Sequence, residues 1–371
     1  MSIFFIFVSG LLLIYSPICV IPTIYLYVIL RPHDRNILTL LVFGAFLAFS
    51  IAVIMSGKTL ISSSATDFNI YYNYYVGFLN YGNDFIYANR FLSGYSNLTH
   101  LISLFELTEI QFAILMNFIC LYFTFISTYI LMHYKYNVNN FCAVLFMAFF
   151  LMKVGSISLL WRQTIACSFI LLMLAMDSKL IRLILIGIAS SFHVTSLFIA
   201  PLVLFIMSVE RDKLIKINKV LPVFGVGAFI LFPVFYNVIG IGNSFFSVSL
   251  EYYYFLDVIK TALFSIIFIL FSFGHKGIYK NKDYTIMLFV VIFQFSFFFI
   301  PHGFRLIYPL SVCISSLIIS VLLVRMPTNM TFLGYHIFFV AGFLRFLNDQ
   351  YQVQYSLYNT EALYYLFVEA I

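Results

Sequence analysis

A pair of apolar segments joined by a short charged turn fills residues 155–204, which read GSISLLWRQTIACSFILLMLAMDSKLIRLILIGIASSFHVTSLFIAPLVL. The only tryptophan, Trp161, directly precedes Arg162, and the second apolar segment ends at His193. As helices that rise about 1.5 Å per residue, these segments are each about 20 Å or more in length. If both cross a bilayer, the chain returns to the face from which it started. The stretch therefore predicts a helical hairpin with Arg162 and His193 at one rim.

The composition of the whole chain predicts the same class of structure. Of its 371 residues, 63% are hydrophobic and only 9% are charged, whereas about a quarter of the residues in a soluble domain are charged. We expect an all-α polytopic membrane protein that forms one integral membrane domain over residues 1–371. The formal net charge of +6 is spread in short clusters, which argues against nucleic-acid binding. The five cysteines lie in apolar runs without paired spacing, so we predict neither a disulfide framework nor a metal site, and no cofactor is expected.

Apolar runs of spanning length predict about 12 transmembrane helices, within a range of about 10 to 13. The first run has no cleavable signal pattern and is interpreted as a retained helix. A long connection at 56–110, after the second span, is predicted to carry short amphipathic helices, and 348–371 form a tail. The predicted spans are 2–30, 37–55, 111–132, 138–153, 162–177, 180–193, 194–209, 220–239, 258–274, 285–300, 306–324 and 331–347.

The distribution of Lys and Arg predicts the orientation. Alternate connections hold thirteen basic residues in one set and seven in the other. The positive-inside rule makes the richer set cytoplasmic and places both termini outside. The outer set consists of Lys58, Arg90, Lys153, Arg162, Lys260, Arg305 and Arg345. Because these residues oppose the topological signal, several are expected to have a function, although lysines near a boundary also reach lipid headgroups.

The outer connection at 56–110 has two interpretations. Asp67, Tyr71, Tyr74 and Tyr75 are spaced i, i+4, i+7 and i+8, which places them on one side of a helix. Aromatic faces and phenol hydroxyls beside a carboxylate suit sugar binding. The alternative is an interfacial helix with its tyrosines in the headgroup belt and Asp67 as its N-cap.

A second outer connection, IPHGFRLIYPL, carries His302, Arg305 and Tyr308 at i, i+3 and i+6. An arginine at an apolar rim needs an anion, contact with water or a lipid headgroup. Together, Arg162 and Arg305 suit a diphosphate, because each guanidinium gives bidentate contacts and keeps its charge. Arg90 and Glu251 are weaker outer candidates for substrate binding.

At these motifs the chain resembles the EpsG family of Wzy-type polysaccharide polymerases over about residues 60 to 310. The resemblance implies a GT-C-like membrane bundle with a periplasmic active site in the bacterial inner membrane. It implies that undecaprenyl diphosphate-linked oligosaccharide is the substrate and that a chain-length regulator is a partner. The matching segments are DFNIYYNYY (Asp67, Tyr71, Tyr75), WRQTIACS (Arg162, Gln163), IASSFHVTSLFIAP (His193, Ser196) and FRLIYPL (Arg305, Tyr308).

The implied reaction joins repeat units into O-antigen or exopolysaccharide. An acceptor sugar hydroxyl attacks the anomeric carbon of the growing chain, and undecaprenyl diphosphate leaves. Fixed arginines can stabilise that leaving group without a metal, and either Asp67 or His193 is the candidate general base. His193 can also be structural. Two alternatives stay open at this point, namely a lipid-linked oligosaccharide flippase and a membrane-bound acyltransferase that uses His193.

Overall fold

The computed structural model describes a helical protein, and no β-strand occurs in its described ranges. These ranges are 2–31, 36–61, 68–82, 84–85, 93–136, 160–221, 223, 281–298 and 328–351. The helices are α1 Ser2–Tyr15, α2 Pro17–Leu30, α3 Ile37–Ile61, α4 Phe68–Tyr81, α5 Ser93–Ser103, α6 Glu109–Tyr136, α7 Trp161–Ala175, α8 Lys179–Phe192, α9 Ser196–Ser208, α10 Lys282–Phe298 and α11 Thr328–Tyr351. Residues 211–221 are also helical.

The chain forms two compact units. One comprises Met1–Leu197 with Phe332–Ile371, and the other comprises Phe198–Thr331. Within the described ranges, two segments are long and apolar enough to cross a membrane, Ile37–Gly57 and Glu109–Tyr136. The predicted all-α class is thus confirmed for the described residues, whereas the number of spans stays a prediction. The predicted spans at 138–153, 258–274 and 306–324 fall outside the described residues, and of the predicted span at 220–239 only residues 220, 221 and 223 are described.

Helix α6, the longest in the described ranges, begins at a sequence that fixes its N-terminal end. The Thr108 backbone N–H donates to Gln111 Oε1 at 2.9 Å, and the Gln111 N–H donates to Thr108 Oγ1 at 3.4 Å. This reciprocal pair is a capping box, which satisfies backbone donors that the first turn leaves without helical partners. Glu109 lies in the first turn, and His133 and Lys135 lie in the last, as the helix dipole favours.

The first apolar run is a hairpin of two helices, which corrects the predicted single helix at 2–30. The rings of Phe5 and Tyr27 lie 5.4 Å apart, and the Ser2 and Tyr27 hydroxyls are hydrogen-bonded at 2.8 Å. One continuous helix would separate positions 5 and 27 by about 33 Å. The reversal falls at Ser16, where Pro17 starts α2 at a position that needs no amide hydrogen.

This hairpin packs beside α3 but does not run its full length. Tyr27 contacts Phe43 with 4.8 Å between ring centroids, and the Ser50 hydroxyl donates to the Pro17 carbonyl at the tip. Since Ser50 precedes the end of α3 by eleven residues, the tip stops about 16 Å short of that end. The N-terminal end of α1 consequently lies at the same end of the bundle as Arg31. The predicted placement of the N-terminus opposite that basic connection is therefore wrong.

Helices α3, α6 and α7 form the centre of the first unit. Val53 packs on Ile114 and Phe49 contacts Phe118, so α3 and α6 are antiparallel. Trp161 bonds to Asn117 and Ser168 bonds to Thr124, and both pairs are separated by 44 residues in sequence, so α6 and α7 are parallel. The end of α6 and the start of α7 therefore lie at opposite ends of these central helices.

The predicted hairpin of α7 and α8 is confirmed. α8 packs along α7, and the rings of Phe169 and Phe192 lie 5.7 Å apart. Arg182 closes the turn by donating from Nε to the Met176 carbonyl at 2.7 Å. Elsewhere in this unit α11 packs on α2, where Phe339 stacks on Tyr25 at 3.8 Å between centroids.

Candidate functional site

The candidate site centres on Arg162, which lies in the first turn of α7 and is partly exposed. Its Nε donates a hydrogen bond of 3.1 Å to the Tyr71 hydroxyl on α4. Its guanidinium carbon also lies 5.4 Å from the centroid of the Tyr71 ring, in the range of a cation–π contact. Tyr71 thus holds the guanidinium through both its hydroxyl and its ring.

Tyr71 belongs to an aromatic cluster contributed by four helices. Trp161 stacks on Tyr71 with 5.4 Å between centroids, and Tyr95 from α5 packs on Tyr71 at 5.2 Å. Phe68 and Phe112 both meet Trp161 edge-on at 5.8 Å. Tyr71, Tyr95 and Trp161 are 3%, 0% and 1% exposed. Rings packed in this way have little freedom, so the cluster is a rigid support for Arg162.

Buried hydrogen bonds fix Trp161 relative to the central helices. Its indole Nε1 donates to Asn117 Oδ1 at 2.8 Å, and Asn117 Nδ2 donates to Thr59 Oγ1 at 3.2 Å. The bonds connect α7, α6 and α3. Thr59 comes two residues after Gly57, where the apolar span of α3 ends. Arg162, next to Trp161, is therefore level with the boundary of an apolar span.

The other tyrosines of the α4 stripe are also buried. Tyr75, 0% exposed, stacks on Phe112 at 4.6 Å and accepts a hydrogen bond from the Leu107 backbone N–H. Tyr74, 7% exposed, donates to Ser96 Oγ at 2.9 Å. Burial raises the pKa of Tyr74 and of Tyr75 above the ordinary value of 10.0, so both phenols are neutral at physiological pH.

Neither interpretation of the tyrosine stripe from sequence describes these contacts. The faces of Tyr71 and Tyr75 are covered by other aromatic rings, so these two rings do not offer the open surface that stacking on a sugar requires. Nor are they exposed to headgroups. The predicted one-sided spacing is present, but it directs the rings into the protein, where Tyr71 supports Arg162. A direct contact of either tyrosine with substrate stays a prediction.

His193 lies at the C-terminal end of α8, at the end of the hairpin where α7 begins. It follows the last residue of α8, and its backbone N–H donates to the Ala189 carbonyl at 3.0 Å. Its Nδ1 is 2.6 Å from Thr195 Oγ1, and its carbonyl accepts from the Ser196 N–H at 3.0 Å. His193 therefore terminates α8 and starts the turn into α9. The hairpin brings Arg162 and His193 to one end, where each has different partners.

Helix α5 contacts both the residues around Arg162 and the residues that precede His193. Tyr95 packs on Tyr71 on the arginine side. Its neighbour Gly94 faces α8, where an added Cβ would lie 2.9 Å from Phe192 Cδ2 and still closer to the Ser191 hydroxyl. Only glycine permits this approach, which sets α5 against the residues that precede His193.

Tyr95 and Asn117 are site residues that the sequence did not identify. The signal for α5 is its periodicity, since buried Tyr95, Ser96, Thr99, Ile102 and Ser103 recur with helical spacing. For Asn117 the signal is an amide inside an apolar helix, which needs a hydrogen-bonded partner when buried.

The remaining predicted site residues are distributed as follows. Gln163 is 2% exposed, so its side chain lies inside the protein. No group of three or more metal-ligating side chains occurs in the part of the chain that the structure describes. Six predicted residues lie outside the described residues: Asp67, Arg90, Glu251, His302, Arg305 and Tyr308. The pairing of Arg162 with Arg305 thus stays a prediction.

The geometry provides a fixed cation, the Arg162 guanidinium, at the start of α7. Leu160, the N-cap of α7, makes no side-chain capping bond, and helix N-termini present N–H donors and a partial positive charge. With the Arg162 guanidinium in the same turn, this end of α7 favours a phosphate-type anion. No protein-family model, curated protein or solved structure matches this chain.

Proposed function

We propose that this protein is a membrane glycosyltransferase that polymerises lipid-linked sugar repeats. Its substrate would be an undecaprenyl diphosphate-linked oligosaccharide, and its active site would face the periplasm from a bundle of about 12 spans in the bacterial inner membrane. The observation that carries the proposal is Arg162, which Tyr71 holds at the boundary of an apolar span.

The chemistry of the proposed step requires a cation at that depth. An acceptor hydroxyl forms a new C–O bond to the anomeric carbon of the donor chain, and the bond from that carbon to the diphosphate oxygen breaks. The hydroxyl proton passes to a base, and undecaprenyl diphosphate leaves with the bonding electrons. Negative charge therefore grows on a group anchored in lipid, where a fixed guanidinium stabilises the transition state more than the ground state.

Two residues are proposed as the base. Asp67 directly precedes Phe68 in sequence, and the Phe68 ring contacts Trp161, which favours a role beside Arg162. Histidine is a common general base, but the Nδ1 contact of His193 with Thr195 also serves the turn. Arg305 is proposed as the second guanidinium, and a chain-length regulator as a partner.

Purified full-length protein, incubated with lipid-linked repeat and no nucleotide or acyl donor, tests the proposal. We expect a ladder of polymer, and its formation would exclude both an acyltransferase and a pure flippase as the sole activity. Arg162→Ala should slow ladder formation by about 100-fold or more, and Arg162→Lys should restore little because lysine cannot make the forked contact.

Arg182→Lys is the matched control, since Arg182 closes the turn at the opposite end of the same hairpin. It should keep the ladder. A folded Arg162→Ala, Arg305→Ala double variant that makes long chains at the normal rate would refute the catalytic assignment. Vectorial transfer of the lipid-linked repeat across liposomes, without any ladder, would identify a flippase instead.

A further inference from the structure

The second compact unit carries a short amphipathic helix at 211–221, between the end of α9 and the start of α10. Lys282, the first residue of α10, donates from Nζ to the Met207 carbonyl at 2.8 Å. The end of α9 and the start of α10 therefore meet at one level. Both helices overlap predicted spans, 194–209 and 285–300, so in the predicted topology this level would be a membrane boundary.

One side of helix 211–221 is attached to the protein. Leu214 is 0% exposed, and Asn218 Nδ2 donates to the Thr285 carbonyl on α10 at 3.1 Å. These two residues are four apart and share one face of the helix. Because this face is attached to the protein, the opposite face points away from α10.

The opposite face combines lysines with exposed valines. Lys213, Lys216 and Lys219, each exposed, are three residues apart and form one stripe. Val220 and Val223, 49% and 70% exposed, lie beside Lys216 in the same helical register and fall within the predicted span at 220–239. A purely solvated face has no need for these valines. The lysine stems and the neighbouring valines are apolar, and the ammonium groups reach outward. This combination suits the headgroup layer of a bilayer.

Charge also favours a membrane over other partners. The helix and its preceding residue hold four basic residues and two acidic ones, and each acidic residue has a basic neighbour, Glu210 with Lys213 at 3.0 Å and Asp212 with Arg211 at 3.4 Å. Lys216 and Lys219 are the basic residues without an ion pair among these contacts. The predicted orientation makes this connection cytoplasmic, where the leaflet is rich in anionic lipid.

We infer that helix 211–221 binds anionic lipid headgroups at the membrane surface through Lys213, Lys216 and Lys219. The valines rest at the glycerol level while the ammonium groups contact phosphates. The helix thereby holds the adjoining ends of α9 and α10 at the membrane boundary. This role is independent of the proposed polymerase activity, because it needs only the second unit and a charged leaflet.

The test uses the full-length protein in mixed micelles of phosphatidylcholine with increasing phosphatidylglycerol. The lipid that remains bound after purification is quantified by mass spectrometry. Wild-type protein should enrich phosphatidylglycerol over phosphatidylcholine, and high salt should reduce the enrichment. Lys216→Gln and Lys219→Gln should each lower it by up to about fivefold, since one lysine near an anionic surface contributes about that factor.

Charge-preserving variants provide the control. Lys216→Arg and Lys219→Arg should keep the enrichment, while the Gln variants should reduce it at an unchanged melting temperature in pure phosphatidylcholine. Inorganic phosphate at millimolar concentration should not displace the lipid, which separates a headgroup surface from a free-phosphate site. Equal enrichment in wild-type and Gln proteins, or equal binding of both lipids, would overturn the inference.

Discussion

The Tyr71 hydroxyl provides the sharpest test of how Arg162 is positioned. Tyr71→Phe removes one acceptor 3.1 Å from Arg162 Nε and keeps the ring that stacks on Trp161 and Tyr95. A buried hydrogen bond to a charged group contributes about 1.5–3 kcal/mol. Because Arg162 is partly exposed, water replaces much of this bond, and we expect a loss of folding free energy of about 1 kcal/mol.

The effect on the proposed reaction should exceed the effect on folding. A guanidinium that loses its Nε contact can rotate away from the leaving diphosphate, and displacement by about 1 Å costs up to about 100-fold in rate. We therefore expect polymer formation at saturating lipid-linked repeat to fall by about 10-fold to 100-fold in Tyr71→Phe. The assay is the ladder formed by purified protein, read over time.

Tyr74→Phe is the matched control for this prediction. It removes the hydroxyl of another buried tyrosine, 7% exposed against 3% for Tyr71, and this hydroxyl bonds to Ser96 rather than to Arg162; the cost is about 0.5–1.5 kcal/mol. Its rate should stay within about twofold of wild type, as expected for a loss of stability alone. Equal rates for Tyr71→Phe and wild type, or an equal fall in Tyr74→Phe, would refute the positioning role of Tyr71.

Four further predictions concern the support of the site and the topology. Asn117→Leu should destabilise the protein by about 2 kcal/mol, because the Trp161 indole N–H is left buried without an acceptor; an unchanged melting temperature would contradict this. Gly94→Ala should force α5 away from Phe192 and slow polymer formation, whereas Gly187→Ala, which meets nothing within 4 Å, should not. Burial raises the pKa of Tyr95 well above 10.0. The contribution of this group to the free energy of unfolding is therefore fully present below about pH 10 and is lost as the pH rises through the folded-state pKa. Tyr95→Phe should therefore lessen the fall in melting temperature above about pH 10, and identical pH profiles would argue against this. A tag on the N-terminus should be reached by a membrane-impermeant reagent from the same side as a tag in the α2–α3 connection, and labelling from opposite sides would rule out the hairpin.

Sequence patterns predicted the α7–α8 hairpin because its signals are local. A charged turn between two apolar segments fixes where the chain reverses, and two antiparallel helices place Arg162 and His193 at one end. The same kind of reasoning failed for the first apolar run. Ser16 and Pro17 are compatible with a kinked single helix, and only packing of Phe5 on Tyr27 shows that the chain folds back.

The tyrosine stripe shows a different limit of sequence patterns. Spacing identified the side of α4 that carries Tyr71 and Tyr75, but periodicity does not tell whether that side faces a ligand or a neighbouring helix. In this protein the side of α4 that carries Tyr71 and Tyr75 packs against α5 and the start of α6. Asn117 was missed for the same reason, since its partners, Trp161 and Thr59, are distant in sequence.

Arg162 occupies a position that two general rules disfavour. A cation in the first turn of a helix is opposed by the helix dipole, at about 0.3–1 kcal/mol, and on the predicted outer face an arginine also opposes the positive-inside rule. Lys179 and Arg182 also start a helix, but the positive-inside rule explains them because they belong to the richer basic set. A bound diphosphate would offset the dipole penalty at Arg162. A residue that breaks local rules, yet is held rigidly by a buried aromatic cluster, fits the proposed anion site.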